Sequence, residues 1–518
     1  PRCTVSSMGR ATKILMTTLV VGAGALGIAS TSTAAAAPVP GAVYVDCRHS
    51  GTGSGTATDP FTTLAALGAV AMRPGTQVLI ARGSRCAGTI TITTSGKPSA
   101  PIVIGAYGRG PLPRLDGGGV DVVTLHNTSN IVVQDLEITT KTATTTSHQN
   151  GVHLVADGTT VRNVTIQRLY VHDIDGSNAD EHGGIQIEGY GGTPYGKFDR
   201  LSVLDNRIER SAKEGIYMDA APGDHSRPPA GNPWPRGSTR VVVNDNTIDH
   251  VGGDGILLQG TVGTLIDGNR LSYGNLAGTA LGPDMRCNAG IWSGNQNSSV
   301  IQHNIVTNMQ TKGCDGDAFD IDVNQDGTII QDNVSIDNKA GFLMMCSSPP
   351  TRRAIVRYNI SINDGASFQD VACVLGDQAT LDGVRMYNNT FVAPSPQVTF
   401  EGSLEEDLYN PGNFEFVDNI VVATQPSTTR FACGNRCVRN LFRGIPAQGL
   451  YPLTDDPSFV NPNVVGTDPM AIARGFRLQV GSPALAAGVS VPGVVTDFFG
   501  VPIPTDQPPS LGFAQGHG

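Results

Sequence analysis

Between residues 200 and 420 one phrase recurs eight times: an apolar residue, two variable residues, then asparagine. The asparagines are Asn206, Asn246, Asn269, Asn304, Asn333, Asn359, Asn389 and Asn419, and they lie 40, 23, 35, 29, 26, 30 and 30 residues apart. Such spacing is too uneven for a fixed repeat, but it fits coils of similar size that carry loops of different length. Each copy adjoins a short β-branched run with no helix-period stretch between, so the repeating unit is strands and turns. Asparagines stacked at one bend of each coil can bond amide to amide along the stack, which satisfies an inward polar side chain. The implied class is all-β, a parallel β-helix of about eleven coils.

The repeat runs without a break in composition, so residues 38–518 are expected to form one elongated domain, with a capping segment from about 440 to 518. Abundant glycine (64 residues) and scarce aromatics (6%) suit many tight turns around a Val, Ile and Leu core. Residues 1–37 are expected to be a signal peptide with upstream residues: Gly9 to Lys13 is basic, Ile14 to Ile28 apolar, and Ala34 to Ala37 small. A secreted protein is implied, and no later stretch is long and apolar enough for a membrane span. Without that leader, which carries Arg2, Arg10, Lys13 and no acid, the net charge of −10 becomes −13. A nucleic-acid partner is disfavoured at that charge.

Loss of Cys3 leaves eight cysteines, an even number suited to an oxidising compartment. The local pairs are Cys47 with Cys86, Cys287 with Cys314, Cys346 with Cys373, and Cys433 with Cys437. No Cys or His spacing suggests zinc.

The segment from Val43 to Thr56, with Pro60-Phe-Thr-Thr-Leu64 and Pro74-Gly-Thr-Gln-Val-Leu-Ile-Ala-Arg-Gly-Ser84, closely resembles the opening of secreted right-handed parallel β-helix proteins that act on polysaccharides. The end is similar too, at Asp456-Pro-Ser-Phe-Val460, Phe476-Arg-Leu-Gln-Val-Gly-Ser-Pro-Ala484, Asp497 to Pro502, and Leu511-Gly-Phe513. The resemblance implies that architecture over nearly the whole chain. It leaves lyase, hydrolase, epimerase and adhesin open.

Aligning coils on their Gly-Ile steps puts Val152, Ile185, Ile216, Ile256, Ile291, Phe319 and Phe342 in one inward column. Strand alternation then turns His153/Val155, Gln186/Glu188, Tyr217/Asp219, Leu257/Gln259, Trp292/Gly294, Asp320/Asp322 and Leu343/Met345 outward. Glu214, Asp254 and Asp317 hold equivalent places just before the column. The densest acidic run is Asp315-Gly-Asp317-Ala-Phe-Asp320-Ile-Asp322. Asp320 and Asp322 project to one side at roughly 6.6 Å between α-carbons, and neighbouring coils lie about 4.8 Å apart. Such spacings span the carboxyl separations of glycoside hydrolysis, about 5 Å for retention and roughly 6.5–9.5 Å for inversion. Asp-Gly pairs also begin turns, which accounts as well for Glu214, Asp254, Asp315 and Asp317. Mid-strand outward aspartate has no such explanation.

This assigns Asp320 and Asp322 as an acid/base pair, expected to face solvent side by side, with Asp219, Asp254 and Asp317 as alternative carboxylates. Glu188, Tyr217, Gln259, Trp292 and Trp234, the last in the Pro/Gly-rich stretch from Ala220 to Ser238, would bind substrate, the two tryptophans as walls for sugar rings. His153, His182 and His225 carry little weight. The expected activity is hydrolysis of a neutral or weakly charged polysaccharide, with no cofactor required.

Two other classes fit less. The run from Cys314 to Asp322, with Ile330-Gln-Asp-Asn333 and Ser335 to Phe342, is similar to the core of β-helix pectate lyases. That resemblance implies calcium, here through Asp315, Asp317 and Asp320, and a lysine base. The matching stretch carries Asp320 and Asp322 instead, leaving Lys213 or Lys339 as substitutes, each better read as a solvated rim charge. A non-catalytic glycan-binding surface protein would not need the acid cluster.

Overall fold

Alternating Val, Ile and Leu build three short strands per coil, and successive coils pair in parallel. The computed structural model describes residues 41–516 except 143–147, 178–181, 193, 221–236, 278–287, 312–314, 322–323, 346–350, 366, 371–380, 395–396, 400–413, 427–435 and 492; the side chains of 367–370, 381–382 and 397–399 are likewise outside it. Every strand pairing named within its sheets is parallel, as between Gly183–Tyr190 and Glu214–Asp219 or Tyr170–Ile174 and Arg207–Ser211. The chain is a parallel β-helix. One sheet alone holds thirteen strands among the described residues, against about eleven coils expected.

The asparagine ladder is present and longer than the sequence suggested. Each amide from Asn206 to Asn419 donates to the next Oδ1 at 2.9–3.1 Å, and the run ends at Asn440. Each Oδ1 also takes the preceding asparagine's backbone N–H, so a buried bend is satisfied in every coil. The residue before the ladder asparagine turns the chain in the left-handed region, as at Asp205, Asp245, Asp332 and Asp418, where aspartate is better tolerated than branched residues.

The inward column is Val152, Ile185, Ile216, Ile256, Ile291, Phe319 and then Leu343, all buried in one core. The last coil is therefore one residue out of the expected register: Leu343, not Phe342, pairs with Phe319, and Met344 replaces Leu343 in the outward column. Phe342 remains inside, its ring 5.6 Å from that of Phe319 and 5.5 Å from that of Phe391.

The segment after residue 440 does not merely close the end. Outward apolar residues of the last coils, Ile305, Val334, Ile336, Ile360, Ile362 and Ile420 among them, pack under Phe459, Phe476, Leu478, Leu511 and Phe513. A disulfide joins Cys47 to Cys86, as expected, with α-carbons 5.5 Å apart. Cys437 is also disulfide-bonded; Cys287, Cys314, Cys346, Cys373 and Cys433 lie outside the described residues.

Candidate active site

Strand alternation over the core column produces the outward face. Register places His153, Gln186, Tyr217, Leu257, Trp292, Asp320 and Met344 in one outward line, and Val155, Glu188, Asp219, Gln259 and Gly294 in the next. The orientation expected of these residues is thus found. Their exposure is not what was expected.

The first line is covered. Asp320 is only 3% exposed and Trp292 only 8%. Tyr217, Leu257, Ala289 and Trp292 form a small apolar cluster of their own outside the core. Tyr217 and Trp292 are thus packed against neighbouring coils and are not open walls for a sugar, because apolar side chains stacked about 4.8 Å apart exclude water from one another. Asp322 and Trp234 lie outside the described residues, as does His225.

Beside that cluster runs a buried charged network. Lys213 Nζ lies 3.0 Å from Glu214 Oε1, with side chains 3% and 1% exposed, and it donates to Asn288 Oδ1 at 2.5 Å. Glu214 Oε2 accepts from the Asp254 N–H, and Asp254 Oδ1 accepts from Ala289 N at 2.6 Å and Trp292 Nε1 at 2.7 Å. Burial raises the Glu214 carboxyl, and burial together with the Glu214 charge raises Asp254 well above its ordinary range. Burial pushes the Lys213 ammonium down, but Glu214 and Asp254 outweigh it and hold it up. Lys213 is therefore not a solvated rim charge as expected. It is the counter-ion without which two buried acids would carry a large desolvation cost. Lys339 is exposed, as expected.

Asp317 is buried, with its carbonyl accepting from Gly290 N at 2.8 Å. Asp315 turns the chain at φ 54°, the left-handed bend that Asp-Gly favours. Among the described residues no group of three or more His, Cys, Asp or Glu side chains is gathered as a cation site.

The second line reaches water at its middle, Glu188, Asp219 and Gln259, while Val155 and Gly294 are buried. Glu188 and Asp219 are register neighbours and both half-buried. His153 spans two coils, its Nδ1 2.7 Å from Asp121 Oδ2 and its Nε2 3.0 Å from Glu188 Oε2. Burial opposes the imidazolium, yet the bonds to Asp121 and Glu188 prevail and raise it to about 9. The same bond to His153 holds the Glu188 carboxyl below its ordinary value, and Gln186 donates to its other oxygen at 3.0 Å. Burial and the charges of Asp219 and Glu188 push Tyr195 up to about 12, which places its hydroxyl in their field. Gln259, on the next coil, accepts from Asn295. Asp121, Asn150 and Tyr195 come from loops, so no strand period announced them.

A family described as "Right handed beta helix region" matches residues 234–393. The fold is a right-handed parallel β-helix. A lacto-N-biosidase of Bifidobacterium longum subsp. longum is 27% identical over an alignment of 414 residues that covers 62% of this chain and 25% of that protein. This chain thus spans about a quarter of that relative's length. Among solved structures, a GH136 lacto-N-biosidase from Eubacterium ramulus superposes with TM-score 0.61 at 23% identity, over 68% of this chain and 64% of that one. XylC in complex with xylose superposes with TM-score 0.54 at 12% identity, over 92% and 98%. At these identities the superpositions speak to fold.

Proposed function

We propose that this protein is a glycoside hydrolase that cleaves a neutral or weakly charged glycan on the acidic face of its β-helix. The observation that carries the reading is the 27% likeness to a lacto-N-biosidase over 414 residues. Its chemical support is the carboxyl content of one face, where Glu188, Asp219 and Asp254 stand on three consecutive coils and Asp317 and Asp320 share a fourth, beyond the coil of Trp292.

In this reading Asp320 and Asp322 are the acid/base pair. One protonates the glycosidic oxygen as the bond to the anomeric carbon breaks; the other takes a proton from water or attacks that carbon directly. Asp320 is buried and does not face solvent as expected, so in this reading a glycan must displace the side chains that cover it before its carboxyl meets the glycosidic oxygen. Cleavage is expected to need no cofactor. The disulfide suits an oxidising, extracellular setting for such a substrate.

The test is a panel: purified protein incubated with an aryl lacto-N-bioside, xylan, mixed-linkage β-glucan, polygalacturonate and alginate. Released aglycone or reducing ends without unsaturated uronate support a hydrolase. Unsaturated uronate would make it a lyase, and no product from any substrate would favour a glycan-binding role.

A further inference from the structure

The hydrolase reading needs an explanation of how the water-reaching part of the face tells one sugar from another, and His153 supplies one. Its ring is fixed at both nitrogens, to Asp121 on one side and Glu188 on the other. Both ring nitrogens meet carboxylate oxygens, and only the imidazolium can donate to two acceptors at once. Asp121 is itself held by the N–H and the side-chain amide of Asn150, at 2.8 and 3.0 Å. The histidine is therefore anchored from the preceding coil, and it fixes Glu188 in the following one. Its side chain is 19% exposed and that of Glu188 is 36%, so the anchor is covered while the anchored carboxylate meets solvent.

Glu188 accepts from His153 at Oε2 and from Gln186 at Oε1. Each carboxylate oxygen keeps a further lone pair, so Glu188 can still accept hydroxyl donors. It cannot serve as a proton donor while it holds the imidazolium. Asp219 lies beside it in register, and both charges are felt by Tyr195. The other titratable groups in contact with the Glu188 charge are His148, which is exposed, and the phenols of Tyr190 and Tyr217, both raised first by burial. Among the described residues, Asp121, Glu188 and Asp219 stand against the His153 cation, so the patch is anionic. A neutral sugar offers hydroxyl donors to such a patch, whereas a uronate brings a carboxylate into a repulsive field.

We propose that His153 is a positioning residue that holds Glu188 as an ionised acceptor for the hydroxyls of a neutral sugar, so that this end of the face admits neutral units and turns uronates away. The proposal rests on the hydrolase reading and names the substrate class for it.

The experiment uses the full chain, with the neutral panel substrate that the wild type cleaves fastest, and tri-galacturonate as competitor. In H153Q, KM rises roughly tenfold, the worth of a charge-assisted hydrogen bond, while kcat stays within about twofold. In the wild type KM also climbs as pH passes about 9, where the imidazolium loses its second donor; in H153Q that climb is gone. E188Q removes the charge but keeps the shape: its KM rises likewise, and tri-galacturonate inhibits it roughly tenfold more strongly than the wild type. Should H153Q fail to fold, E188Q carries the test alone through KM and the inhibition. Unchanged KM and unchanged inhibition in an active enzyme overturn this proposal and leave the hydrolase reading standing. A wild type that cleaves no neutral glycan overturns both.

Discussion

Trp292 donates its indole N–H to Asp254 Oδ1 at 2.7 Å, across two neighbouring coils. That bond, with the one from Ala289 N, satisfies a buried carboxyl whose charge would otherwise be opposed by Glu214. Trp292 is thus a structural bolt under the face. W292F keeps most of the packing and loses the donor, so it should cost about 1–2 kcal/mol in chemical denaturation. Because so little of the ring is accessible, KM for the cleaved glycan should stay within about twofold, less than a stacking platform would lose. A tenfold rise in KM with unchanged stability would restore the sugar-wall role.

The ladder should be cooperative across coils. Asn333 donates to Asn359 Oδ1 and to Ile301 O, and accepts from Asn304 N and Nδ2. N333A takes one hydrogen bond from each of these four buried polar groups, for a loss of about 3–5 kcal/mol in urea unfolding. A loss below about 1 kcal/mol would show that the stacked amides contribute only shape.

Stability should carry a pH signature from inside the coils. Asp364 is buried, takes hydroxyls from Ser335 and Ser361 at 2.5 and 2.6 Å, and takes Asn338 N and Nδ2 at its other oxygen. Burial is the largest influence and raises its carboxyl to about 7. The unfolded carboxyl titrates near 4, so between about 4 and 7 the folded state binds the extra proton. The contribution of Asp364 is then full below about pH 4 and lost as pH rises through about 7. D364N has no such titration, so its stability relative to wild type should improve from pH 5 to pH 8, read by denaturant midpoints at both. A constant difference across that range would place the charge of Asp364 elsewhere.

The architecture was legible because the bend asparagines must repeat wherever a coil turns. Asn440 closes the ladder without the repeat's usual signature, because Cys437 stands where a Val, Ile, Met or Phe stands in the other copies. The slip at Phe342 has a packing cause. In earlier coils a glycine precedes the inward residue, and a Cβ there would meet a branched side chain of the facing sheet: Ile208 for Gly184, Ile248 for Gly215, Leu271 for Gly255, Val306 for Gly290. The facing column then changes to Ser335 and Ser361, and the space they release admits Ala318 and Phe342. A glycine-based alignment fails there.

At the site, alternation gave direction but not cover. Whether an outward residue meets water depends on loops and on lateral packing, and neither has a period. Lys213 looked like a rim charge because nothing in its neighbourhood of sequence reveals that Glu214 and Asp254 are buried beside it. His153 looked incidental because one of its two partners, Asp121, lies on a preceding loop.

Hydrolysis of glycosidic bonds by Asp320 and Asp322 is decided by initial rates of D320N and D322N on the neutral glycan that the wild type cleaves, with melting temperatures measured in parallel. Each variant should lose at least about a thousandfold in kcat while retaining a cooperative unfolding transition, as expected for a group acting in the transition state. Wild-type turnover in either folded variant would contradict the assignment.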